Sequence, residues 1–118
     1  MPVSEPIDWG AVKDEMRAIL IYLAKQRKTI CYSDLAALIS TARLHHRAPI
    51  FHRLLDEMSR EDAAEGMPSL ATLVVRKDSG IPGQGYFVIS AAEGDTVNDP
   101  EAYWQARFDE LCDYWATS

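Results

Sequence analysis

The sequence predicts an α+β fold, and three observations carry that expectation. Two short amphipathic runs, Asp34 to Ile39 and Pro49 to Ala64, sit either side of a polar, basic connection. Two apolar segments rich in β-formers, Leu70 to Arg76 and Tyr86 to Ser90, follow with a glycine-rich stretch between them. Helical apolar spacing then recurs at both ends of the chain. That order is a winged helix-turn-helix with a two-stranded β-hairpin wing and an extra C-terminal helix, all within one domain over residues 1–118.

Each element has a local reason. Asp8 stands as N-cap before Val12, Met16, Ile19, Leu20 and Leu23, which predicts a first helix to about Gln26. Asp14 and Glu15 come early in it and Lys25, Arg27 and Lys28 late, the arrangement a helix dipole favours. Thr29-Ile30-Cys31-Tyr32 reads as a bridging strand, and Ser33 caps a second helix with Leu35, Ala36, Leu38 and Ile39 on its apolar face. Residues 40–47 have no period and form the turn. Pro49 opens a third helix whose buried stripe is Ile50, Phe51, Leu54, Leu55 and Met58, and Gly66 ends it. Ser69 to Val75 and Tyr86 to Ile89 read as the two strands of the wing, with Gly80, Pro82, Gly83 and Gly85 supplying its reversal. Placed between two strands, that glycine run is not a phosphate-binding loop, which must open a helix. Asp99 and Pro100 start the last helix, and its Trp104, Phe108, Leu111, Cys112 and Trp115 face should pack on the first helix.

Composition narrows the function. The chain carries a net charge of −6, unevenly placed. From Met1 to Arg53 eight lysines and arginines stand against five acids, whereas from Ala91 to Ser118 seven acids stand against Arg107 alone. The longest uncharged apolar run, Ala18 to Ala24, is far short of the ~20 residues that span a bilayer, and no signal pattern opens the chain, so a cytoplasmic protein with no membrane partner is expected. Cys31 and Cys112 are expected as reduced, packed thiols. Their spacing fits no zinc site, the adjacent His45 and His46 diverge, and no nucleophile has an evident base, so no catalytic residue, metal or cofactor is expected.

The surface residues point to binding. Arg43, His46 and Arg47 in the turn, His52 and Arg53 early on the third helix, and Arg76 and Lys77 at the wing are the candidates to contact nucleic acid. Against them, Asp56, Glu57, Glu61, Asp62 and Glu65 load the second half of the third helix with charge that repels phosphates. The run TICYSDLAALI, with Arg47-Ala48 opening the next helix and a glycine-rich segment ending Gly83-Gln84-Gly85-Tyr86, resembles the DNA-binding half of the alkylguanine-DNA alkyltransferases and alkyltransferase-like proteins. The resemblance covers some sixty residues and implies that Arg47 takes the place of an extruded base. Their Pro-Cys-His-Arg nucleophile motif is missing, because the corresponding segment reads LATLVVRKD. The run LATLVVRKDSGIPGQGYF also resembles small bacterial proteins of unassigned function.

Together these features predict a non-enzymatic domain that binds DNA or a DNA-associated complex, with terminal helices able to join a homodimer. The alternative is an acidic protein-interaction or inhibitor module meeting a basic partner through Tyr103, Trp104 and Trp115.

Overall fold

The computed structural model describes residues 6–92, 94–95 and 97–116; the charge counted at Glu93 lies outside them. In order the elements are α1 (Trp9–Lys25), β1 (Ile30–Cys31), α2 (Tyr32–Leu38), α3 (Pro49–Ala64), a 3-10 turn (Leu70–Leu73), β2 (Val74–Val75), α4 (Gln84–Ala92) and α5 (Pro100–Ala116).

Local chemistry sets the helix ends. The Asp8 carboxylate accepts the Ala11 N–H at 3.1 Å, and Asp99 accepts that of Ala102 at 3.2 Å. Pro49 is the first residue of α3. At its far end Gly66 takes φ +70°, and the Met67 and Gly66 N–H groups return to the carbonyls of Asp62 and Ala63 at 2.8 and 3.0 Å. This double closure needs a left-handed residue after the cap, which glycine adopts at no steric cost.

The wing is where the structure departs from the sequence reading. No hairpin forms among the described residues, so neither the expected α+β class nor the winged helix-turn-helix is the fold: the described chain is mostly helical, with one two-stranded parallel sheet. Most of the first predicted strand is the 3-10 turn, and only Val74 and Val75 are extended. They pair in parallel with β1, Ile30 beside Val74 and Cys31 beside Val75, as the only sheet among the described residues. The second predicted strand is helix α4. The physical reason lies in the connection. Arg76 gives its N–H to the Ile81 carbonyl and its carbonyl to the Gly80 N–H, both at 2.9 Å, so the loop closes on itself and spends the groups a hairpin ladder needs. Tyr86 to Ile89 is apolar without alternation, a pattern that fits strand or short helix equally.

One apolar core joins these elements. Val12, Met16, Leu20 and Ala24 of α1 meet Leu35, Phe51, Leu54, Met58, Leu70, Leu73, Val74, Leu111 and Cys112, all fully or nearly fully buried. The last helix therefore packs on the first, as its apolar spacing indicates. No helix among the described residues is long and apolar enough to cross a membrane.

The acids of α3 take an unforeseen direction. Lys13 of α1 reaches Glu57 at 3.3 Å and Glu61 at 2.6 Å, and Arg17 reaches Glu61 at 3.0 Å and Asp62 at 2.5 Å. Three of the five acids expected to repel phosphates, Glu57, Glu61 and Asp62, are thus turned onto two cations of α1.

Candidate nucleic-acid interface

Because β1 and β2 are parallel, their carboxyl ends lie side by side. The chain leaves one as Tyr32 and the other as Arg76, which puts an aromatic ring and a guanidinium on the same rim. Between this rim, α3 and the start of α4 lies a cleft of about 330 Å³. Tyr32, His46, Arg47, His52, Arg76 and Gln84 are among its lining residues. A second depression shares Tyr32, His46, Arg47 and Arg76 and extends the surface to Lys77.

Five of the seven predicted nucleic-acid residues therefore converge: His46, Arg47, His52, Arg76 and Lys77. Arg43 lies apart, in a shallow groove with Ala36, Ile39 and Leu44. Arg53 is exposed one residue on from His52, about 100° round the helix. Arg76 holds Asp78 through two bonds of 3.1 and 2.8 Å, which fixes its guanidinium at the rim. Arg47 and Lys77 are exposed.

The cleft is packed from beneath. The Tyr32 hydroxyl accepts the Gly83 N–H at 2.8 Å, binding the loop after β2 to the start of α2. A β-carbon on Gly83 would stand 3.3 Å from that hydroxyl, so the close approach favours glycine here. The Tyr32 ring meets Phe51 edge-on, with centroids 6.4 Å apart, and lies tilted against His52 at 5.7 Å. Tyr86 closes the far end, its hydroxyl 2.9 Å from Thr72 Oγ1. Burial pushes its phenol up to about 12, so it stays neutral at physiological pH. His46 is held below the usual histidine value by partial desolvation and then by the positive charge of His45, Arg47, His52 and Lys77. Burial raises the Asp56 carboxyl.

Sequence reasoning misses Tyr32 because it reads as the end of a bridging strand, and misses Gly83, Gln84 and Tyr86 because the glycine run reads as a hairpin tip. It instead leads from β2 into α4, with Gly83 and Gln84 at the helix start. A strand, a glycine-rich loop and a helix in that order was the signal available, and it is the arrangement the hairpin reading excluded.

The turn carrying His45, His46 and Arg47 is anchored to α1 by Glu15. Its carboxylate accepts the N–H groups of Ser40 and Thr41, at 2.9 and 3.0 Å, and both hydroxyls, at 2.5 and 2.8 Å. These bonds, the Ser40 hydroxyl first, hold its carboxyl down at about 2. A depressed pKa means that the anchor's contribution is complete above the unfolded value near 4.5 and fades as pH falls toward 2. The Ser40 and Thr41 amide resonances should accordingly shift in acid with a midpoint near 2; a midpoint close to 4.5 would show that the anchor does not form.

The three aromatics proposed for a partner face are engaged internally. The Trp104 indole N–H donates to the Thr72 carbonyl at 2.7 Å, and its ring lies on Phe108. Tyr103 donates to Asp95 at 2.5 Å and sits under the Arg107 guanidinium, and Trp115 packs against the core. Cys31 Sγ lies 3.5 Å from the Ser33 hydroxyl, and Cys112 is buried. No group of three or more His, Cys, Asp or Glu among the described residues is placed to hold a metal ion.

No protein-family model, curated protein or solved structure matches the chain.

Proposed function

We propose that this chain is a non-enzymatic binding domain that contacts nucleic acid through the cationic cleft at the carboxyl ends of its paired strands. The observation that carries the reading is the convergence of Arg47, Arg76, Lys77, His46 and His52, from three separate stretches of sequence, on one concave surface. An acidic chain gains little from non-specific attraction to phosphates, so a local cluster of cations is what it requires. Of the α3 acids, Glu57, Glu61 and Asp62 are turned onto Lys13 and Arg17, whereas Asp56 lines the cleft; on its rim Asp78 pairs with Arg76, so the contact rests chiefly on Arg47 and Lys77.

Fluorescence anisotropy with labelled oligonucleotides at low salt tests this. Binding should weaken steeply with salt, and Arg47→Ala combined with Lys77→Ala should cost roughly tenfold or more in affinity. The same pair should flatten the log–log salt slope by roughly 0.7 to 0.9 per lost phosphate contact. Absence of binding to any nucleic acid at low salt sinks the proposal.

A second reading, protein interaction, draws on α4. This helix is apolar yet has no fully buried residue, and Val88 is 58% exposed. Capture of a protein that Val88→Asp releases, with no nucleic acid bound, would favour it.

A further inference from the structure

The shape of the cleft says which form of nucleic acid it suits. A helix that reads a duplex has to enter a major groove about 12 Å wide and needs a free flank to do so. Helix α3 exposes Arg53 and Arg60 to solvent, but its candidate contact residue His52 lines the cleft instead. It packs against α1, the 3-10 turn and α4, and its His52, Leu55, Asp56 and Ser59 form one wall of a hollow. At about 330 Å³ that hollow falls near the lower end of the roughly 300–1,000 Å³ typical of small-ligand sites. Its lining combines cations, at Arg47 and Arg76 and continued by Lys77, with rings, where exposed His52 lies against Tyr32 with planes 37° apart. Gln84 and Asp56 offer hydrogen-bonding groups nearby.

We infer that the cleft takes one unstacked nucleotide unit, its phosphate between Arg47 and the Arg76–Lys77 edge and its base against the His52–Tyr32 rings. A single strand is therefore preferred to a duplex. Stacking is open to any base, because each has a π-face, so the preference is for strandedness rather than sequence. The inference rests on the nucleic-acid reading above and names the form of ligand. The unit could come from a polymer strand or from a free nucleoside phosphate, and the shared chemistry is a base joined to a phosphate.

The test uses the full chain and three probes: a labelled mixed-sequence oligonucleotide of about 12 nucleotides, within the range such grooves cover, the same strand annealed to its complement, and adenosine monophosphate. The single strand should bind about tenfold or more tighter than the duplex. His52→Ala should loosen the strand about tenfold, and His52→Phe, which keeps a ring, should restore it. His52 is exposed, so these variants keep the fold. If adenosine monophosphate binds as tightly as the strand, the unit is a free nucleoside phosphate; if the strand wins, it is part of a polymer. Either outcome supports the inference. Duplex binding as tight as single-strand binding overturns it and leaves the proposed function standing, as does a single-strand affinity indifferent to His52→Ala. Failure of all three probes removes both.

Discussion

Replacing Asp62 by alanine should lower stability by about 3 kcal/mol, because this carboxylate accepts two hydrogen bonds of a kind that contribute roughly 1.5–3 kcal/mol each. The Asp62 side chain is 1% exposed, and both of its oxygens are used. One oxygen takes Arg17 at 2.5 Å, and the other takes the Leu70 N–H at 3.1 Å. Its loss leaves Arg17 with Glu61 alone and the first N–H of the 3-10 turn without an acceptor. Both defects fall where α1, α3 and the turn meet. Urea unfolding monitored by tryptophan fluorescence reads the effect as a lower midpoint. Asp62→Asn, which keeps an acceptor for the Leu70 N–H, should lose less than Asp62→Ala. A loss below about 1 kcal/mol for Asp62→Ala, the range of exposed pairs, would show that the bridge is solvated.

Phe51→Ala should cost a similar amount, about 3–5 kcal/mol, from lost transfer energy and the cavity left behind. Phe51 is fully buried at the start of α3 and joins the core to the cleft. Its ring meets Tyr32 at 6.4 Å and His52 at 5.6 Å, both near perpendicular. The variant should therefore do more than lower the unfolding midpoint. With the ring gone, Tyr32 and His52 lose the surface that orients them, and nucleic-acid binding should weaken even where the protein remains folded. Phe51→Leu, which fills more of the space, should restore most stability and less of the binding. Equal recovery of both would assign Phe51 to the core alone.

Much of the fold was legible because it is specified by neighbours in sequence. Asp8, Pro49, Gly66 and Asp99 each mark a helix end through groups three or four residues away, and those ends stand where the local signals put them. The basic residues of the candidate site could likewise be named from their types and order. Their grouping could not. Lys13 and Arg17 look like ordinary solvated cations in the sequence, and only the approach of α1 to α3 shows that they compensate Glu61 and Asp62. Glu15 gives no local hint that it holds Ser40 and Thr41, residues 25 and 26 positions away.

Local signals set the starts of α1, α3 and α5, the closure of α3 and the basic stretch around Arg47, because caps, turns and periodicity are decided within a few residues; they misplaced α2, which begins at Tyr32 ahead of the expected Ser33 cap and leaves Leu38 exposed. Only the tertiary structure decided that Val74 pairs with Ile30 in parallel and that the segment after the glycines is a helix. Only there do Tyr32 and Arg76 share a rim with His52. An unalternated apolar segment such as Tyr86 to Ile89 suits either state, and the choice falls to whichever partners bury it and satisfy its backbone. Those partners lie far along the chain.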